Sequence, residues 1–233
     1  MRDATHHGFG ADEYRALGSL ALTIIVMTLL LFVPAGTLAW QRAWWYLAVF
    51  LAAMAVAIVY VWRTDHELFA IRRKVQPGTK PWDLAFVVVT ITSIAAILPV
   101  AGLDFRLGWL QLHDGFVWLG YAAFLGGFWL TAWAQGVNRH FELTVRIQTD
   151  RGHRVIDDGP YATVRHPGYV GGTALAAGTA LALGSGVALI PALICAVALA
   201  LRTLAEEQTL REELPGYAAY MQRVHFRWIP GIW

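Results

Sequence analysis

Charged side chains are missing from five long stretches of this chain, residues 16–41, 43–62, 84–103, 115–138 and 167–201. Each reaches the roughly 20 residues that a helix needs to cross about 30 Å of hydrocarbon. The pattern predicts helices over about 17–39, 44–62, 84–103 and 115–137, after a polar, interfacial lead-in over 1–15. A short turn is expected at Gln41-Arg42. Trp40, Trp44 and Trp45 then fall at a membrane interface, the level that amphipathic rings favour.

The last run is too long for one ordinary span. Gly184-Ser185-Gly186 lies near its middle, and such residues mark a turn. The run reads as a helical hairpin with arms near 169–183 and 187–201. A single long tilted helix is the alternative, and it would separate the flanking polar segments across the membrane. The expected fold is an all-α integral membrane protein, with four transmembrane helices, a C-terminal hairpin and an irregular pocket on one face. It forms a single membrane domain over 1–233, divided into a four-helix part (1–137) and a region carrying the chemistry (138–233).

Composition agrees. Hydrophobic residues make up 57% of the chain and charged residues 15%, against roughly 25% charged in a soluble domain. A net charge of +2 gives no support to a nucleic-acid partner. Cys195 is the only cysteine, so no internal disulfide forms, and it reads as a packing residue. The first apolar run is too long for a signal-peptide core and reads as a retained helix.

Loop charges set the orientation. The segment 63–83 holds Arg63, Arg72, Arg73, Lys74 and Lys80, and 138–166 holds Arg139, Arg146, Arg151, Arg154 and Arg165. The other connections carry one arginine each, Arg42 and Arg106. An excess of basic residues marks the cytoplasmic side, which places both basic segments and the N-terminus there.

Two polar segments lie at that face if the hairpin forms. In 138–169, Gly152, Gly159-Pro160 and His166-Pro167 interrupt any helix, and irregular backbone at membrane depth is tolerated where it is buried or lines a cavity. In 202–214, Arg202 and Glu206 share a helix face, while Glu207 points about 100° away. Pro215-Gly216 ends that helix. Simpler readings exist for both. Arg202 and Glu206 suit a helix-end salt bridge, and Arg165-His166 suits a cationic anchor that snorkels to headgroups. His140, His153 and His166 stand thirteen residues apart, but glycines and prolines separate them and metal ligands usually pair more tightly. No metal is expected.

His153-Arg154-Val155-Ile156, Gly159-Pro160-Tyr161, Arg165-His166-Pro167-Gly168-Tyr169 with Gly171, then Arg202 and Glu206-Glu207, resemble the C-terminal half of the isoprenylcysteine carboxyl methyltransferase and phospholipid methyltransferase superfamily. The closing Gly216-Tyr217, Tyr220 and Arg227-Trp228-Ile229-Pro230-Gly231-Ile232-Trp233 are similar to bacterial members. The resemblance covers about residues 136–233. It implies an S-adenosylmethionine-dependent methyltransferase, and no Gly-rich strand–helix fingerprint of a Rossmann domain is present. By resemblance, Gln148, His153, Arg154, Val155, Ile156, Tyr161, His166, Pro167, Gly168 and Tyr169 line the cofactor cleft. Glu206 meets the cofactor ammonium, and Arg202 is the catalytic residue on the substrate side. The implied acceptor is a lipophilic carboxylate or amine, small or lipid-borne, entering from the bilayer. Hairpin glycines Gly168, Gly171, Gly172 and Gly178 pack closely and border a slot for an acyl or prenyl chain.

The chain departs from the family in Thr203-Leu204-Ala205, where an acidic run is expected, and this leaves the acceptor open. Membrane sterol and enone reductases resemble the same half. They carry Asn where this chain has Gly168, and they tend to have an aromatic pair where it has Gly159-Pro160-Tyr161. A non-catalytic membrane protein is the third reading.

Overall fold

Among the described residues, four helices come first: α1 (Ala11–Ala35), α2 (Gln41–Thr64), α3 (Pro81–Leu107) and α4 (Asp114–Val137). The structure is a computed structural model that describes residues 11–64 and 76–233. The expected lead-in up to residue 10 and the basic residues Arg72, Arg73 and Lys74 lie outside the described residues. An irregular segment follows, with 3-10 turns at Thr149–Arg151 and Gly159–Ala162. Then come α5 (Pro167–Ala182), α6 (Leu189–Glu213) and the short α7 (Tyr217–Arg223).

Among the described residues the all-helical reading holds, and a helix satisfies its own backbone polar groups where hydrocarbon offers no partner. Helices α2, α3, α4 and α6 are each long and apolar enough to cross a membrane. The described apolar part of α1 is Ala21–Ala35, and the second hairpin arm runs past Leu201 to Glu213 as α6.

Helix ends shift for local reasons. Gly36 adopts φ 68, and its N–H bonds back to the Phe32 carbonyl at 3.0 Å, so α1 closes before the expected Ala39. The turn therefore precedes Gln41, which already belongs to α2. Trp40 faces the bundle interior and not the outside. It is 2% exposed and stacks on Phe105 at 4.8 Å. Trp44 and Trp45 do remain exposed. Pro81 opens α3 at a position whose N–H would have no helical partner anyway.

The hairpin forms, and the single long helix does not. Gly184 turns the chain at φ 74. The turn docks on the α3–α4 connection, where Leu112 N–H donates to the Gly184 carbonyl and Gly186 N–H to the Leu110 carbonyl, each at 2.9 Å. Below it, the buried Asp104 carboxylate accepts the Ser185 hydroxyl at 2.5 Å and the Leu110 N–H at 2.8 Å.

Close packing of the first hairpin arm is borne out in backbone terms. A side chain on Gly127 would come within 2.5 Å of the Gly171 carbonyl, and one on Gly171 within 2.7 Å of the Gly127 carbonyl. So α4 and α5 touch main chain to main chain, which leaves no room for an acyl slot between them. Cys195 is fully buried in the adjoining core with Ile97, Phe124 and Ala180. By these contacts α6 returns Arg202 and Glu206 to the end of the bundle where α4 hands over to 138–166.

Candidate active site

A cleft at that end encloses about 850 Å³ of empty space, part of it open to solvent. Gln148, His153, Arg154, Val155, Ile156, Tyr161, His166, Gly168, Tyr169, Arg202 and Glu206 all border it. Pro167 does not; it is buried at the first position of α5. Asn138, His140, Glu142, Leu210, Tyr217 and Tyr220 also line the cleft, and sequence reasoning had given none of them a place there.

On one wall the Tyr169 hydroxyl donates to Glu206 Oε2 at 2.5 Å. The His166 ring stacks on Tyr169 at 5.4 Å with an interplanar angle of 10°, and its Nδ1 lies 3.8 Å from Glu206. Arg202 spreads over the Tyr169 ring, 5.5 Å from its centroid.

The carboxylate partner of Arg202 is Asp83 and not Glu206. Arg202 Nε donates to Asp83 Oδ1 at 2.7 Å and Nη2 to Oδ2 at 2.9 Å, with a further bond from Nη2 to the Leu143 carbonyl at 2.8 Å. Fully buried Asp83 also accepts the Val145 N–H at 2.7 Å. The helix-end pair read from the sequence is thus replaced by a cross-bundle pair. A signal existed: Asp83 is an ionisable group directly before an apolar run, a placement that usually marks function.

Glu207 forms a second buried hub. It accepts Arg165 Nε at 2.6 Å and Arg227 Nε at 2.8 Å, with His166 Nε2 at 3.3 Å. Arg165 Nη1 reaches the Val224 and His225 carbonyls at 2.6 and 2.8 Å. Arg165 is therefore no snorkelling anchor; it is 6% exposed and ties the C-terminal tail to the cleft wall.

The opposite wall is a histidine pair, His140 and His153, with ring centroids 4.5 Å apart. Burial lowers both from the ordinary histidine value, with the neighbouring arginines adding to it, and His153 falls to about 4. Both are neutral at physiological pH. Behind them Arg146, itself buried, is held charged first by its bonds to Glu142, at 2.8 and 2.9 Å, with Asp150 at 2.8 Å. Burial raises Tyr217 and Tyr220 far above the usual phenol range, so both keep their protons. Among the described residues no three His, Cys, Asp or Glu side chains converge as metal ligands.

Among the described residues, two cleft-lining side chains have a buried atom without a hydrogen-bond partner, His140 Nε2 and the Tyr217 hydroxyl.

Residues 116–215 match the phospholipid methyltransferase family model. That bears out the resemblance read from the motifs. The matched segment runs from α4 through the irregular segment and the hairpin to the end of α6. It contains Arg202 and Glu206, whereas Asp83, Tyr217 and Tyr220 lie beyond its limits. A search among curated proteins gives no match. The segment match and the four long apolar helices support membrane methyltransferase activity.

Proposed function

We propose that the protein is an S-adenosylmethionine-dependent methyltransferase whose acceptor is a lipophilic carboxylate or amine that reaches the cleft from the bilayer. The observation that carries this reading is the cleft itself. Within the matched segment it gathers the Glu206 carboxylate, the Tyr169 phenol and the Arg202 guanidinium beside a helical hairpin. In this reading 138–233 is the cofactor-binding catalytic region of one membrane domain, and the basic segments face the cytoplasm.

The residues present fit the cofactor. An unpartnered buried polar atom costs about 1–3 kcal/mol, so His140 Nε2 and the Tyr217 hydroxyl suit a ligand rich in both donors and acceptors. Glu206 takes the cofactor ammonium in a charge-assisted bond. Bound S-adenosylmethionine supplies an electrophilic methyl group on a sulfonium. Arg202, whose Nε and Nη2 are held by Asp83 and Leu143, keeps its Nη1 for the acceptor.

Alignment and desolvation are the main contributions asked of this chain, and alignment alone supplies on the order of 7–11 kcal/mol at best. A carboxylate acceptor needs no base. An amine acceptor must lose a proton, for which the Glu206–Tyr169 pair is the nearest candidate.

Calorimetric titration of detergent-purified protein with S-adenosylmethionine, S-adenosylhomocysteine and NADPH tests the reading. Saturable binding of the sulfur ligands alone is expected. NADPH binding alone would overturn it in favour of a reductase.

A further inference from the structure

The histidine pair has its tautomers set by Gln148. That side chain is 2% exposed, and its Nε2 donates to the His140 carbonyl at 2.7 Å. Its Oε1 therefore faces the other way, accepting from Arg151 Nη1 at 3.1 Å and lying 3.2 Å from His140 Nδ1. An amide oxygen only accepts, so His140 carries its proton on Nδ1. His140 Nε2 is left as a bare lone pair, in a side chain 7% exposed, with no partner.

The backbone of the same Gln148 sets the second ring. Its N–H donates to His153 Nδ1 at 3.3 Å, which puts the His153 proton on Nε2. Tilted at 37° with centroids 4.5 Å apart, the two rings belong to cleft-lining residues and carry one acceptor and one donor. A 6-aminopurine edge is the complement, with an amino N–H beside a ring-nitrogen lone pair.

We infer that His140 and His153 read the adenine of the cofactor, His140 Nε2 accepting from the 6-amino group and His153 Nε2–H donating to an adjacent ring nitrogen. The inference rests on the methyltransferase reading, which requires an adenosyl ligand but assigns no residue to its base. His140 is a specificity-determining residue here, since it rewards an amino group at position 6 and leaves two acceptors opposed when that group is a carbonyl.

The test is calorimetry with S-adenosylhomocysteine and S-inosylhomocysteine, which differ at that position, on the wild type and on His140→Phe, which keeps the flat ring and removes the acceptor. The wild type should prefer the adenosyl ligand by at least about tenfold. In His140→Phe the adenosyl ligand should weaken by about tenfold and the preference should vanish. Equal wild-type affinities, or a preference unchanged in His140→Phe, would overturn the inference and leave the methyltransferase reading intact. Failure of the wild type to bind S-adenosylhomocysteine would overturn both. If His140→Phe does not fold, the wild-type comparison decides alone.

Discussion

Arg202 on α6 and Asp83 on α3 meet through two parallel hydrogen bonds, Nε to Oδ1 at 2.7 Å and Nη2 to Oδ2 at 2.9 Å, although 119 residues separate them in the chain. The pair orients the only guanidinium that lies over the Tyr169 ring among the described residues. It also fastens the cleft to a helix outside the matched segment.

Removing one partner strands the other. Arg202→Ala leaves a fully buried carboxylate, and breaking such a pair costs about 3–5 kcal/mol. The expected result is a large drop in thermal midpoint in detergent together with loss of turnover. The double variant Asp83→Leu/Arg202→Met should recover most of the midpoint and none of the turnover. Recovery of turnover would remove Arg202 from the chemistry.

Among the described residues, Glu206 is the cleft carboxylate with no arginine bonded to it. Glu206→Gln should weaken S-adenosylmethionine binding by roughly ten- to a hundredfold, the usual worth of a hydrogen bond to a charged group. Tyr169→Phe, which removes only the 2.5 Å bond to Glu206, should have the smaller effect. Titration calorimetry reads both, and unchanged affinity in Glu206→Gln would take the ammonium away from this residue.

His153 gives a pH signature. Burial, with His140, Arg146 and Arg151 facing it, lowers its value to about 4, against about 6.5 in an unfolded chain. As pH falls, the unfolded chain takes up this proton first. Stability should therefore decline between about pH 6.5 and about pH 4 and stop declining from this source below that. Thermal midpoints across this range should show a shallower slope in His153→Phe than in the wild type.

Glycines on α5 should divide by what they face. Gly171→Ala pushes a methyl group to 2.7 Å from the Gly127 carbonyl, whereas at Gly172 the nearest atom is Leu199 Cδ1 at 3.6 Å. The first variant should lose monodispersity on size exclusion, and Gly172→Ala should match the wild type.

The spans and most of the cleft-lining residues were legible because both are written locally. Charge-free runs give the helices, and the Gly, Pro and His-rich motif gives the irregular wall. Long-range pairing was not legible. Nothing adjacent to Arg202 indicates that its partner is Asp83, and the close sequence neighbour Glu206 is the misleading choice. Glu207 points about 100° away from the face that Arg202 and Glu206 share, and that angle aims it at Arg165 and Arg227, which the sequence alone does not show. His140 was weighed only as a metal ligand, because its meaning depends on which way the Gln148 amide faces. Trp40 was placed with its neighbours Trp44 and Trp45, and only the turn at Gly36 shows why it is buried instead.

The tip of the hairpin bears on how the protein is made. With 16 residues α5 extends only about 24 Å, less than the roughly 30 Å of a hydrocarbon core. Its turn satisfies its polar groups on Asp104, Leu110 and Leu112. A hairpin released from the ribosome before those residues had settled would hold bare amides and carbonyls in lipid. Insertion of the hairpin is thus obliged to follow that of α3 and α4, which is the order in which synthesis delivers them. A circular permutant that presented α5 and α6 first would send a half-finished hairpin into the bilayer with nothing to meet its tip.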